Sequence, residues 1–204
     1  KKKIERKKII EYLSNIRDLE RIQSKIGLQS SNARDLKSLA DSIIFLPKIH
    51  KLLNSFKSKE INSISSNWDL LADVEKLIST SLREELPVSI KDGDIFQDGV
   101  NDELDELRNI TKDGRSWLEK YEKQLKQTTN LPLKIGYNRV FGYYIELSRR
   151  FSDKVPESFS RKQTLVSSER FITSELKEIE EKLEFSGEKS KELEFLMFGE
   201  LRRK

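Results

Sequence analysis

The residues that could do chemistry are few in type. The chain has one histidine, His50, and no cysteine, which excludes a thiolate zinc site, a cysteine nucleophile and any centre needing two imidazoles. Carboxylates are abundant, and Glu103, Asp105 and Glu106 lie close enough in sequence to raise the question of a held metal ion. They have no histidine or glycine-rich partner, and a solvated helix face accounts for them. The cations carry more information. Residues 130–171 hold eight of them, Lys134, Arg139, Arg149, Arg150, Lys154, Arg161, Lys162 and Arg170, against the four acids Glu146, Asp153, Glu157 and Glu169. Taking these from totals of 39 Lys and Arg and 35 Asp and Glu leaves 31 of each sign elsewhere, so the net charge of +4 belongs to this one segment. A polyanion is the partner that such a patch would take.

The elements that must position this segment are mostly helical. Only 35% of the 204 residues are apolar while 36% are charged, a balance that predicts elongated helices with much wet surface rather than one thick core. Apolar residues recur by threes and fours from Ile4 to Leu28 and predict one amphipathic helix. Asn32 is placed to cap a second helix running from Leu36 to Leu53, which Pro47 should kink or break. A third, short helix is expected over Leu70 to Leu82 with Asn67 as its cap. Between Pro87 and Gly99, Asp92-Gly93 reads as a turn between short extended pieces.

The segments flanking the basic region give the strongest structural signal. Positions 100, 104, 107, 111, 114, 118, 121 and 125 alternate spacings of four and three, and so do positions 172, 176, 179, 183, 186, 190, 193 and 197. Both have the 3.5-residue period of a coiled-coil seam. Paired antiparallel, they set Leu125 against Ile172, Tyr121 against Leu176, Leu118 against Ile179 and Gly114 against Leu183, with Val100 reaching Met197. Thr111 then faces Ser186 and Leu107 faces Ser190, so the middle of the arm should be thin. A seam of this length makes an arm of roughly 38 Å at about 1.5 Å per residue.

At its tip the period changes. Leu133 to Tyr137 and Gly142 to Ser148 are rich in β-branched and aromatic residues and read as strands, with Asn138 to Phe141 connecting them. Phe141, Tyr143, Ile145 and Leu147 share one face. Gln163 to Ser168 reads as another strand, Pro132 ends the outgoing helix, and Thr173 or a neighbour starts the returning one. Tyr137, Phe141, Tyr143, Tyr144, Phe151, Phe159 and Phe171 are dense enough to fill the core of a small module. The expected fold is mainly α: an elongated helical body with a long antiparallel two-helix arm that carries a small antiparallel β subdomain at its tip.

The motif Leu133-Lys134-Ile135-Gly136-Tyr137-Asn138-Arg139-Val140-Phe141-Gly142-Tyr143-Tyr144-Ile145-Glu146, followed by Val155-Pro156, Arg161-Lys162-Gln163-Thr164-Leu165, Glu169-Arg170-Phe171-Ile172-Thr173 and Glu175-Leu176-Lys177-Glu178, resembles the clamp region of the MutS family of DNA mismatch repair proteins. Ile16-Arg17-Asp18-Leu19-Glu20-Arg21, Ala33-Arg34-Asp35-Leu36 and Glu103-Leu104-Asp105-Glu106-Leu107-Arg108 are similar to that family's helical lever, so the resemblance covers nearly the whole chain. It implies a lever over 1–129, a clamp over 130–171 and a returning lever helix over 172–204. It also implies a clamp that closes over the double-stranded DNA backbone without reading sequence, in a dimer with a second copy of the parent protein. The family's ATP and Mg would serve an ATPase outside this stretch, since no G-x-x-x-x-G-K-[ST] loop occurs here. No Phe-x-Glu of the mismatch-probing kind precedes the lever, so neither catalysis nor mismatch discrimination is expected of this chain, which is read as no enzyme and as needing no cofactor of its own.

The residues expected to face DNA are Arg149, Arg150, Ser152 and Lys154 after the second strand, with Arg161, Lys162, Ser167 and Ser168 near the third. Phosphate contacts of this kind hold a protein on a duplex and are blind to sequence. Relatives commonly have Lys-Asn after Gln-Thr-Leu where this chain has Val166-Ser167, so contact there would rest on Ser167, Ser168 or the amides. Three to five neutralised phosphates would give a log-log salt slope of about −3 to −4.5. The alternative is a mechanical or protein-contact arm that binds no DNA by itself. No apolar run approaches the roughly 20 residues that span a bilayer, and no signal sequence opens the chain. No membrane contact is therefore expected, and a cytoplasmic, nucleoid-associated location is. The chain starts at Lys1 without Met and stops at Arg202, Arg203 and Lys204 inside a helical pattern, as a piece of a longer protein would.

Overall fold

The computed structural model describes residues 2–204, and Lys1 lies outside them. The chain divides into two compact units, one formed by residues up to 101 together with 191–204, the other by residues 102–190. Among the described residues, no helix is long and apolar enough to cross a membrane.

The first unit is helical: α1 (Lys3–Ser14), α2 (Leu19–Gly27), α3 (Ala33–Ile43), α4 (Leu46–Leu53), α5 (Lys59–Ser65) and α6 (Ala72–Ser81). The single helix expected over Ile4–Leu28 is in fact two. Ser14 and Asn15 turn their side chains back onto the Glu11 carbonyl at 2.7 and 2.8 Å, and Asp18 accepts the Arg21 N–H at 2.9 Å to start α2 afresh. Such side-chain bonds offer the backbone an alternative to the helical ladder. Asn32 caps α3 as expected, in a reciprocal box with Asp35. Pro47 sits in the first turn of α4, where its missing donor is no loss, so the second run breaks between α3 and α4.

Asn67 does not cap the third helix. α6 begins after Leu71, which takes a positive φ of 50°, and the Asp69 carboxylate accepts the Leu71 N–H at 2.9 Å. α5 has no counterpart in the expected pattern. The Asp92-Gly93 turn is present as a short 3-10 turn, Ile90–Asp92, and the extended pieces reduce to one antiparallel bridge between Leu82 and Phe96. Ile22, Leu36, Ile43, Ile49, Ile78, Leu82, Ile95 and Phe198 form the buried apolar interior of this unit.

The second unit contains α7 (Asp102–Thr129), β1 (Lys134–Asn138), β2 (Gly142–Ser148), β3 (Ser160–Thr164), β4 (Ser168–Ile172) and the first part of α8 (Ser174–Arg203). The sheet order is β1-β2-β4-β3, antiparallel throughout. β2 has the expected bounds, whereas the strand expected over Gln163–Ser168 straddles a turn. There the Leu165 N–H donates to the Ser168 carbonyl at 2.8 Å, so β3 ends before it and β4 starts after it. Phe141 lies in the β1–β2 connection and is exposed, off the inward face that Ile145 and Leu147 occupy.

The expected seam is present along α7, which buries Leu104, Gly114, Leu118, Tyr121 and Leu125. α8 answers with Leu176, Leu183 and Ser186. Gly114 faces Leu183 so closely that an added Cβ would overlap the leucine side chain. Past Ser190 the 3.5-residue spacing does not continue. α8 buries Glu194, Phe198 and Leu201 in place of Leu193 and Met197, the drift expected of a straight helix with 3.6 residues per turn. The core of the unit joins arm and sheet: Leu118, Tyr121, Leu125, Leu176 and Leu183 pack with Leu131, Leu133, Ile145, Leu147, Phe159 and Phe171.

Candidate nucleic-acid interface

The sheet is fixed to the arm at three polar points as well as through its core. Glu122 on α7 accepts the outward Ile135 N–H of edge strand β1 at 2.7 Å and pairs with Lys126. Burial raises the Glu122 carboxyl, but the Lys126 ammonium and the Ile135 amide outweigh it and hold the group below its usual value. Glu180 on α8 accepts the Tyr143 N–H at 2.9 Å. Its carboxylate lies against Gly142, which has a φ of +72°, so no side chain fits there. The Tyr121 hydroxyl meets Thr173 Oγ1 at 2.8 Å where α8 begins. Burial pushes that phenol up, and the Glu175 carboxylate adds to the shift.

Between β2 and β3 the chain folds into a 3-10 turn, Arg149–Lys154. Phe151 and Val155 pack this turn onto the core, which leaves Arg149, Arg150 and Lys154 exposed. The Arg149 N–H donates to the Ser167 carbonyl at 3.1 Å, and Ser148 pairs with Ser168 across β2 and β4. Arg149 and Arg150 at the start of the turn therefore lie at the end of the sheet that carries Ser167 and Ser168, with Ser152 and Lys154 following in the same turn. Ser152 donates its hydroxyl to the Arg149 carbonyl at 2.7 Å and stabilises the turn. Arg150 rests its guanidinium over the Phe151 ring, 4.6 Å from the centroid. Val166 stands at the apex of the β3–β4 turn, 96% exposed.

Arg161 and Lys162 form a separate group on edge strand β3, where the register slips between Arg161 and Gln163. Arg161 lies opposite Phe171, three residues along β4 from Ser168 and about 10 Å away at strand rise. Counting charge along the segment does not reveal pairing. Arg170 donates to Glu146 and to Gln163, each at 3.0 Å, and stacks on Tyr144, so it is spent within the sheet. Arg161 is paired with Glu169. Among the described residues, Lys134, Arg139, Arg149, Arg150, Lys154 and Lys162 are then the segment's cations with no ion-pair partner within 4.0 Å. Glu169 was legible only as one acid among four, and no local signal marks it as buried.

Among the described residues, no three His, Cys, Asp or Glu side chains come together as a candidate metal site. Asp105, one of the acids on α7, lies 3.9 Å from Arg108. The arrangement can offer exposed positive charges, with serine hydroxyls nearby, to an extended anionic surface.

A family model described as MutS family domain IV matches residues 99–188. The chain is similar to the DNA mismatch repair protein MutS of Caldicellulosiruptor saccharolyticus, 44% identical over 193 residues, which is 94% of this chain and 22% of that protein. The corresponding figures are 44% over 193 residues for the MutS of Alkaliphilus oremlandii, again 94% and 22%. For that of Lachnoclostridium phytofermentans they are 42% over 200 residues, 98% of this chain and 22% of the relative. The chain thus spans about 22% of the length of the curated relatives it matches.

Proposed function

The chain belongs to the MutS family, as a piece of a DNA mismatch repair protein, and on that premise we propose that residues 130–171 are a clamp that grips the double-stranded DNA backbone without reading sequence. Residues 1–129 and 172–204 are the lever that carries it. In the parent protein this lever couples DNA binding to an ATPase that uses ATP and Mg elsewhere, and a second copy of the parent supplies the opposing clamp. The setting is the cytoplasm, at the nucleoid.

One observation carries the reading: Arg149, Arg150 and Lys154 have no ion-pair partner among the described residues and lie on a turn that is tied to Ser167 through the Arg149 N–H and packed onto the core through Phe151. Exposed cations left unneutralised release DNA counterions on binding, a sequence-independent source of affinity. Arg170, by contrast, is already consumed by Glu146.

Titration of the chain against matched and mismatched duplexes at two salt concentrations tests this. Equal affinities that fall together as salt rises support the clamp. Undetectable binding at low salt supports instead an arm that transmits movement and binds no DNA by itself.

A further inference from the structure

Glu169 occupies an unusual place for a carboxylate. It lies on the core-facing side of β4, across from Leu147 on β2 and Thr164 on β3. Its side chain is 4% exposed, and among the described residues its Oε2 accepts no hydrogen bond. The cation beside it is Arg161, whose Nη2 stands 3.3 Å from that oxygen. The same guanidinium lies over the Phe171 ring, 5.9 Å from the centroid. Removing the cation from such a pair leaves an uncompensated buried charge, which costs more than the pair itself gains. Arg161 is nevertheless 55% exposed, within reach of a passing phosphate.

We propose that Glu169 is a positioning residue that withholds Arg161 from the DNA backbone, so that Arg161 serves the sheet and the grip falls to Arg149, Arg150, Lys154 and Lys162. This rests on the reading of residues 130–171 as a phosphate-binding surface. The competition is unequal: a phosphate at the surface offers Arg161 a screened, hydrated contact, while Glu169 offers one that cannot be replaced by water. Arg161 therefore differs from Lys162, its neighbour in sequence, which has no carboxylate to hold it among the described residues.

The test is a salt series of binding to a short matched duplex by the native chain, Arg161→Ala, Glu169→Gln and the double variant. Arg161→Ala is expected to leave the log-log slope unchanged. Glu169→Gln is expected to steepen it by about 0.9, one further phosphate, and adding Arg161→Ala to Glu169→Gln should abolish that increment. A slope flattened by about 0.9 in Arg161→Ala alone overturns the proposal, as does an unchanged slope in a folded Glu169→Gln chain. If Glu169→Gln does not fold, the Arg161→Ala slope decides.

Thermal melts of the same four chains need no DNA. Arg161→Ala should lower the melting temperature by at least about 2 °C when Glu169 is present and hardly at all when Gln replaces it. An equal drop in both backgrounds overturns the pairing. A native chain that binds no duplex contradicts the clamp reading itself, and the melts then decide whether Glu169 holds Arg161.

Discussion

Gly114 on α7 lies directly against the side chain of Leu183 on α8, so close that one methyl group at position 114 would overlap it. The contact fixes the register of the arm, and with it the placement of the sheet between Thr129 and Ser174. Gly114→Ala would gain roughly 1 kcal/mol of helix propensity and lose about 1–3 kcal/mol to overpacking. We expect a net loss of stability. Leu183→Ala alone should cost about 2–4 kcal/mol through the cavity it leaves. The two together should cost less than their sum, because each removes the other's problem. Urea denaturation of the three variants measures this, and simple additivity would show that the two helices can shift apart freely at this layer.

Gly142 should be as intolerant for a different reason. Its φ of +72° disfavours any side chain, and the Glu180 carboxylate that accepts the Tyr143 N–H already fills the space a Cβ would need. Gly142→Ala is expected to destabilise the second unit by about 1–3 kcal/mol. Hydrogen exchange should locate the loss in the β1–β2 hairpin.

Two carboxylates should make stability fall in acid. Burial raises the Glu122 and Asp35 carboxyls, but hydrogen bonds and nearby cations outweigh it: Lys126 and the Ile135 amide for Glu122, the Asn32 amide and Lys25 for Asp35. Both groups are therefore held below their unfolded values of about 4.3 and 3.9. Their contribution is complete above those values and is lost as pH falls through the depressed folded ones. Denaturation midpoints should begin to drop below about pH 5 and keep falling through the depressed folded values, and should drop by less in Glu122→Gln or Asp35→Asn. At neutral pH either substitution should cost about 1 kcal/mol. An identical acid profile in both variants would remove these groups as its cause.

What is legible in the sequence follows from what is local. The seam of α7 can be read because Leu118, Tyr121 and Leu125 repeat at fixed spacing, and β2 because Gly142 to Ser148 is bounded by a turn and densely β-forming. The break at Asn15–Asp18 is not legible in hydrophobic period, since the apolar rhythm runs straight through it while Ser14, Asn15 and Asp18 redirect the backbone with their side chains. The β3–β4 turn is missed because Leu165 and Val166 have strand-forming side chains and yet occupy a turn closed by Ser168. Of the candidate interface, the cluster around Arg149 is legible as charge. That Arg170 and Arg161 are already paired depends on strand register, and Glu194, buried in α8 with the Ile95 N–H donating to it at 2.7 Å, depends on a contact 99 residues away in sequence.

The decisive measurement is the salt dependence of matched-duplex binding by the native chain and by Arg149→Ala/Arg150→Ala. The native slope should be about −3 to −4.5, and the paired substitution should flatten it by about 1.8, two phosphates' worth of released counterions, with the fold retained. An equal slope in both chains, or a native affinity that does not respond to salt, would contradict the assignment of the backbone grip to this end of the sheet.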